Sequence, residues 1–177
     1  MKSKEFERES LPKSYLVLDR FAKGYAGEET FELAVSVGAS LFQYGSTRDL
    51  SFGLVSRGSD DVYFEPRSGQ SVYNAAMQHF IDVEADGPLG LKQVLLEKVP
   101  QLVPGSFMAI VSPLSGEPML QILTWLKQQQ MNPCHLWIVS DPAAKDSWML
   151  QLKSKGIAGY AIQTLTELPA RLGGRSG

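Results

Sequence analysis

Apolar positions along this chain follow two different periods, and their alternation outlines the fold. Unbroken apolar runs such as YLVL, FMAIV and LWIV fit strands covered on both faces, since a strand with one wet face alternates polar and apolar residues. Together with weaker stretches they predict six strands, at 15–19, 51–56, 62–65, 107–112, 135–140 and 159–162. Between them the spacing widens to the helical period. In EETFELAVSVGASLFQYG, the apolar positions Phe31, Leu33, Ala34, Val37, Leu41 and Phe42 share one face, and SVYNAAMQHFIDV repeats the pattern with Val72, Ala75, Ala76, His79 and Phe80. Further helices are predicted in GLKQVLLEKV, PMLQILTWLKQQQ, AAKDSWMLQLKSKG and LTELPARL. Pro118 fits a helix start, and Gly156 fits a cap after a lysine-rich last turn.

Strands alternating with helices imply a parallel sheet layered between helices. One connection departs from that scheme. Only RGSDD separates SFGLVS from the next strand, VYFE, too few residues for a crossover helix, so this pair forms an antiparallel hairpin. The predicted architecture is therefore a three-layer, doubly wound α/β domain. Its six-stranded sheet is mostly parallel, with one antiparallel edge strand.

Composition narrows the function. With 177 residues, 44% of them hydrophobic and 20% charged, the chain has the size and makeup of one folded domain. We expect it to span 14–170, between an N-terminal extension at 1–13 and a tail at 171–177 that includes GGRSG. The 17 basic and 19 acidic residues give a net charge of −2 with no basic face, which argues against nucleic acid as a partner. The lone Cys134 cannot form an internal disulfide or a thiolate cluster, in keeping with a reducing compartment. No apolar run approaches the roughly 20 residues needed to cross a bilayer, and MKSKEFERES is charged rather than signal-like, so the chain is expected to be soluble.

In an open α/β sheet, chemistry collects at the carboxyl ends of the central strands. The loops after Asp19, Ser112 and Ser140 are the places to inspect. The first, DRFAKGYAGEE, lacks the glycine spacings that cradle phosphates, and no cofactor is expected. His79 and His135 have no second histidine or carboxylate at ligand spacing, which leaves them packing or single hydrogen bonds. Cys134 and His135 point to opposite faces of a strand and cannot act as nucleophile and base. Ser112, Ser115 and Ser140 lack the GxSxG elbow. Ser140 or Asp141 is expected to cap a helix in SDPAAKD, and Trp125, Trp137 and Trp148 sit at apolar positions suited to the core.

A first strand ending in Asp, a helix, a hairpin with an edge strand and three further strand and helix units resemble the von Willebrand factor A fold. More narrowly, the charged segment at 4–9 within KEFERES, followed by YLVLDRF, resembles the C-terminal part of a bacterial family known as domain of unknown function fifty-eight. That family's segment rich in Gly-Asp, Arg and Trp, and its upstream membrane helices, are not found in this sequence. The A fold is best known for a metal-ion-dependent adhesion site built from DxSxS, a Thr and a later Asp. Here Asp19 matches the first ligand, but Phe21 and Lys23 occupy the serine positions, Pro88 lies near the Thr and Pro113 stands about where the later Asp belongs. The resemblance thus implies an adhesion site without metal. Asp19 is expected instead to organise its loop by accepting backbone amides or by pairing with Arg20 or Lys23.

The function expected from these features is a non-catalytic protein-interaction module. Asp19, Arg20, Lys23, Ser112 and Asp141 are its candidate contact residues. The family resemblance implies the soluble part of a larger, membrane-anchored bacterial protein, lying in the cytoplasm beside the membrane and working with a MoxR-type AAA ATPase. The alternative is a small-molecule binder or hydrolase that uses the cleft at the ends of the central strands, lined by Asp19, Lys23, Ser112 and Asp141.

Overall fold

The computed structural model describes residues 13–165. The charged segment at 4–9, the expected boundaries near 13 and 170, and the last predicted helix beyond Leu165 lie outside the described residues. Six strands form one sheet: β1 (Ser14–Asp19), β2 (Phe52–Arg57), β3 (Asp61–Arg67), β4 (Phe107–Ser112), β5 (Asn132–Ile138) and β6 (Ala158–Ile162), in the order β3-β2-β1-β4-β5-β6. All neighbouring pairs are parallel except β2 and β3, the hairpin. The expected architecture is the observed one.

Strand limits differ by more than one residue in two places. β3 runs on through Pro66 to Arg67, past a bulge opposite Phe52 and Leu54. Proline lacks a backbone donor, and it is tolerated here because β3 is the sheet edge. β5 begins at Asn132 and ends at Ile138, so His135 sits in mid-strand instead of opening it, and Ser140 lies beyond its end.

Among the described residues five α-helices cover the sheet: α1 (Glu28–Thr47), α2 (Gln70–Asp82), α3 (Leu91–Lys98), α4 (Glu117–Gln128) and α5 (Lys145–Ser154). On one face, Leu16, Leu18, Leu54 and Leu136 pack with Ala34, Val37 and Phe42 of α1 and with Ala76 and Phe80 of α2. On the other, Tyr15, Val17, Ile110 and Trp137 pack with Leu95 of α3, Leu123 of α4 and Trp148 of α5. The central strands supply residues to both clusters, which is why YLVL carries no polar position. Burial of each large apolar side chain stabilises the fold by about 1.5–3 kcal/mol. Trp137 and Trp148 are core residues; Trp125 is half-buried.

Helix α5 ends as its sequence forecasts. Gly156 has φ +70°, its N–H bonds the Lys153 carbonyl, and Ile157 N–H bonds that of Leu152, the paired bonds of a left-handed helix stop. Helix α4 ends with the same two bonds, from Gln130 to Lys127 and from Met131 to Leu126, but Gln130 carries the positive φ, +69°. A side chain in that conformation is strained by roughly 1–2 kcal/mol. Gln130→Gly is therefore expected to raise stability by about 0.5–1 kcal/mol, and Gly156→Ala to lower it comparably, both checked by urea unfolding.

Candidate functional site

The strand order reverses between β1 and β4, which places Asp19 and Ser112 side by side at the carboxyl end of the sheet. The Ser112 hydroxyl donates to Asp19 Oδ2 at 2.7 Å and accepts the Leu114 N–H at 3.0 Å. Asp19 Oδ1 accepts the Phe21 N–H at 3.0 Å, and the Tyr25 hydroxyl donates to the Asp19 carbonyl at 2.6 Å. Both side chains are buried, Asp19 to 5% exposure and Ser112 to none. Burial raises the Asp19 pKa above its ordinary value, against the opposing effect of the Ser112 and Phe21 hydrogen bonds.

The loop after Ser112 is held from below as well. His135 is fully buried; its Nδ1 lies 3.2 Å from Trp148 Nε1, and its Nε2 lies 3.2 Å from the Ser112 carbonyl. Indole N–H can only donate, so Nδ1 is the acceptor and Nε2 carries the proton that reaches Ser112. Trp137 Nε1 and the Ser140 hydroxyl both donate to the Pro113 carbonyl, at 2.9 and 3.0 Å. Desolvation pushes the His135 pKa down to about 3. At neutral pH this histidine is an uncharged packing group.

Arg20, the next residue after Asp19, turns to the hairpin side and is also buried, at 3% exposure. Its Nε donates to the Glu84 carbonyl at 2.9 Å, one terminal nitrogen to the Ser56 carbonyl at 3.1 Å, and the other to Asp86 Oδ1 at 3.0 Å; Asp60 lies 2.9 Å away. Asp86 in turn accepts the backbone N–H and hydroxyl of Ser59. Those two bonds, more than Arg20, hold its carboxyl below the usual range. The Ser56 hydroxyl is 2.8 Å from His79 Nε2. Burial, and secondarily the Arg20 charge, lower the His79 pKa. Gly58 lies against the guanidinium and Asp86, where a Cβ has no room. Beside it the 20–22 segment pairs with Gly87, through Gly87 N–H to the Arg20 carbonyl and Ala22 N–H to the Gly87 carbonyl.

The sheet order, the single antiparallel edge and these loop positions can be compared with known proteins. Proximal thread matrix protein 1 from the mussel byssus superposes in two crystal forms, with TM-scores of 0.52 and 0.56 and 14% and 13% identity. The match takes in 89% and 92% of this chain but only 44% and 46% of the mussel protein, so the chain spans less than half of that relative. The SpRpn10 VWA domain superposes with a TM-score of 0.53 at 14% identity, covering 91% of this chain and 95% of that one. The fold is von Willebrand factor A-like. No protein-family model matches the chain, and no curated protein matches it in sequence.

Of the five candidate residues in this A-like domain, Asp19 and Ser112 are brought together and bond each other inside the fold. Arg20 is adjacent but engages Asp60 and Asp86 rather than Asp19. Lys23 and Asp141 are exposed. Asp141 Oδ1 accepts the Ala143 N–H at 3.2 Å, capping the short 3-10 turn Pro142–Ala144 that leads into α5. The residues that sequence reasoning missed are the partners of Arg20. RGSDD and EADG each place aspartate beside glycine, but only the folded sheet shows that both loops converge on a residue more than 35 positions earlier.

The buried histidine sets a pH dependence. In the unfolded chain His135 takes up a proton near pH 6.5, whereas in the fold it does so only near pH 3. Between these values the unfolded state binds more protons, so stability rises with pH. The contribution is complete above about pH 6.5 and fades as pH falls toward 3. His135→Gln keeps a donor and an acceptor but does not titrate, and it is expected to flatten this acid limb in urea melts between pH 7 and 4.

Proposed function

We propose that this chain is a non-catalytic protein-interaction module that operates without a metal ion at Asp19. The observation that carries this reading is the buried Asp19–Ser112 hydrogen bond. The two polar side chains at the switch point of the sheet, where a nucleophile, base or cation ligand would be displayed, are committed to each other and to loop amides. A hard cation requires several oxygen ligands in near-octahedral array. The positions two and four residues after Asp19 are Phe21 and Lys23, whose side chains offer no oxygen, and the residue after Ser112 is Pro113. These residues do not fit such a cation.

The enzymatic alternative calls for an open cleft lined by Asp19, Lys23, Ser112 and Asp141. Two grooves among the described residues, of about 740 and 590 Å³, include none of the four. A-like folds commonly serve as protein-interaction modules, and the resemblance of KEFERES and YLVLDRF to a membrane-anchored bacterial family favours a MoxR-type AAA ATPase as the partner. Among the described residues no helix is long and apolar enough to cross a membrane.

Thermal melting tests the metal-free reading. Saturating Mg²⁺ or Mn²⁺ is expected to leave the melting temperature within about 1 °C of its value in EDTA, and a rise of several degrees overturns the reading. Retention of a MoxR-type AAA ATPase on the immobilised chain tests the partner. Absence of retention removes that assignment.

A further inference from the structure

A groove of about 740 Å³ runs beside Arg20 where α2 meets the outer edge of the sheet. Its apolar lining is Val62 and Phe64 of β3 with Ala75 of α2, and its charged lining includes Asp60, Asp82, Glu84 and Asp86. A second hollow, about 590 Å³, shares Asp82, Val83 and Glu84 and adds Glu28 and Glu32. The two form one acidic tract. Arg20 offsets Asp60 and Asp86, and Lys98 pairs with Asp61 at 3.3 Å. The carboxylates of Asp82, Glu84, Glu28 and Glu32 have no ion pair among the described residues. Because the whole chain carries only −2, this excess is a local feature.

The same tract borders an open strand. Among the described residues β3 pairs only with β2, so half of its backbone N–H and C=O groups face outward with no described strand to receive them. Pro66 removes one donor near its end, and the stretch from Asp61 to Glu65 is the part able to take a partner. Val62, Tyr63 and Phe64 are half-buried along it. Charged or proline-blocked edges normally keep strands apart; here Asp61 is paired with Lys98 and Glu65 with Arg67, so the edge itself carries no net charge to block a strand. The uncompensated carboxylates of the adjoining groove, Asp82 and Glu84, are what disfavour an acidic segment and favour a basic one.

We infer that the β3 edge and the adjoining acidic groove receive an extended, lysine- or arginine-rich segment of a partner protein, added as a seventh strand. This rests on the interaction-module reading and names its surface and the chemistry of its partner. Main-chain bonds to β3 hold the segment. Its basic side chains lay their aliphatic stems over Val62 and Phe64 and carry their charged ends to Asp82 and Glu84. Electrostatic complementarity selects for the basic segment over acidic ones.

The test uses the full chain and a fluorescein-labelled heptapeptide of alternating lysine and valine, read by anisotropy at near-physiological salt. Three comparisons accompany it: a glutamate-valine peptide, a lysine-valine peptide N-methylated at alternate residues, and the variant Asp82→Lys/Glu84→Lys. Those two carboxylates lie outside the Arg20 ion pairs. Saturable binding of the basic peptide is expected, weakened at least tenfold by N-methylation and by the charge reversal, with no binding of the acidic peptide. Unchanged binding of the methylated peptide to the natural chain overturns strand addition, even should the double variant fail to fold. Equal affinity of a folded double variant overturns the acidic tract as the determinant. No binding at all, or self-association that excludes the peptide and so gives the edge to a second copy or to the chain's own end, overturns the inference. Retention of the ATPase by the folded double variant as by the natural chain would do the same while leaving the module reading intact.

Discussion

Two consecutive charged residues at the end of β1 are buried on opposite sides of the strand, and the loops of this domain are arranged to satisfy them. A buried ion is tolerated only when its charge and hydrogen-bonding capacity are met. Asp19 is met by Ser112 across the switch point and by the backbone of its own loop. Arg20 is met by the β2–β3 hairpin through Ser56 and Asp60, and by the loop after α2 through Glu84 and Asp86. Removing either group leaves its partners unpaired inside the protein, so these residues fix the relative positions of four loops.

This arrangement decides what the surface can offer. The switch point, the usual ligand site of a doubly wound sheet, is filled by a hydrogen-bonded aspartate and serine resting on a neutral histidine. The hairpin side has the opposite character. There the guanidinium draws carboxylates together, but more of them gather than it can neutralise, and the surplus faces a groove next to the edge strand β3. One interior requirement thus closes the central cleft and leaves an acidic edge exposed. The same fold supports metal-dependent adhesion when its first loop carries hydroxyls. Phe21 and Lys23 supply no hydroxyl in those positions, and the recognition we propose is assigned to the β3 edge instead.

Much of the fold was legible in the sequence because it is written in local patterns. The unbroken YLVL, FMAIV and LWIV runs marked strands covered on both faces, the short RGSDD connection forced the hairpin, and Gly156 marked the end of α5. Strand ends were less legible: β3 continues through Pro66 because an edge strand tolerates proline, and β5 begins three residues before His135. The candidate site was half legible. That Asp19 closes the first strand at the carboxyl edge of the sheet could be read from YLVLD. The partners of Arg20 could not, since Ser56, Asp60, Glu84 and Asp86 come together only once β1, β2 and the loop after α2 are side by side. For the same reason the acidic tract, assembled from α1, α2, β3 and two loops, leaves no contiguous run of acidic residues along the chain.

Asp19 is an interior group, held by Ser112 and the Phe21 amide, rather than a ligand waiting at the surface. The most direct measurement is the pH titration of the Asp19 carboxyl carbon by ¹³C NMR, with and without saturating Mg²⁺. A pKa above the usual aspartate value of 3.8, unchanged by the cation, is expected. A pKa at or below that value, or one that falls when Mg²⁺ is added, would contradict it.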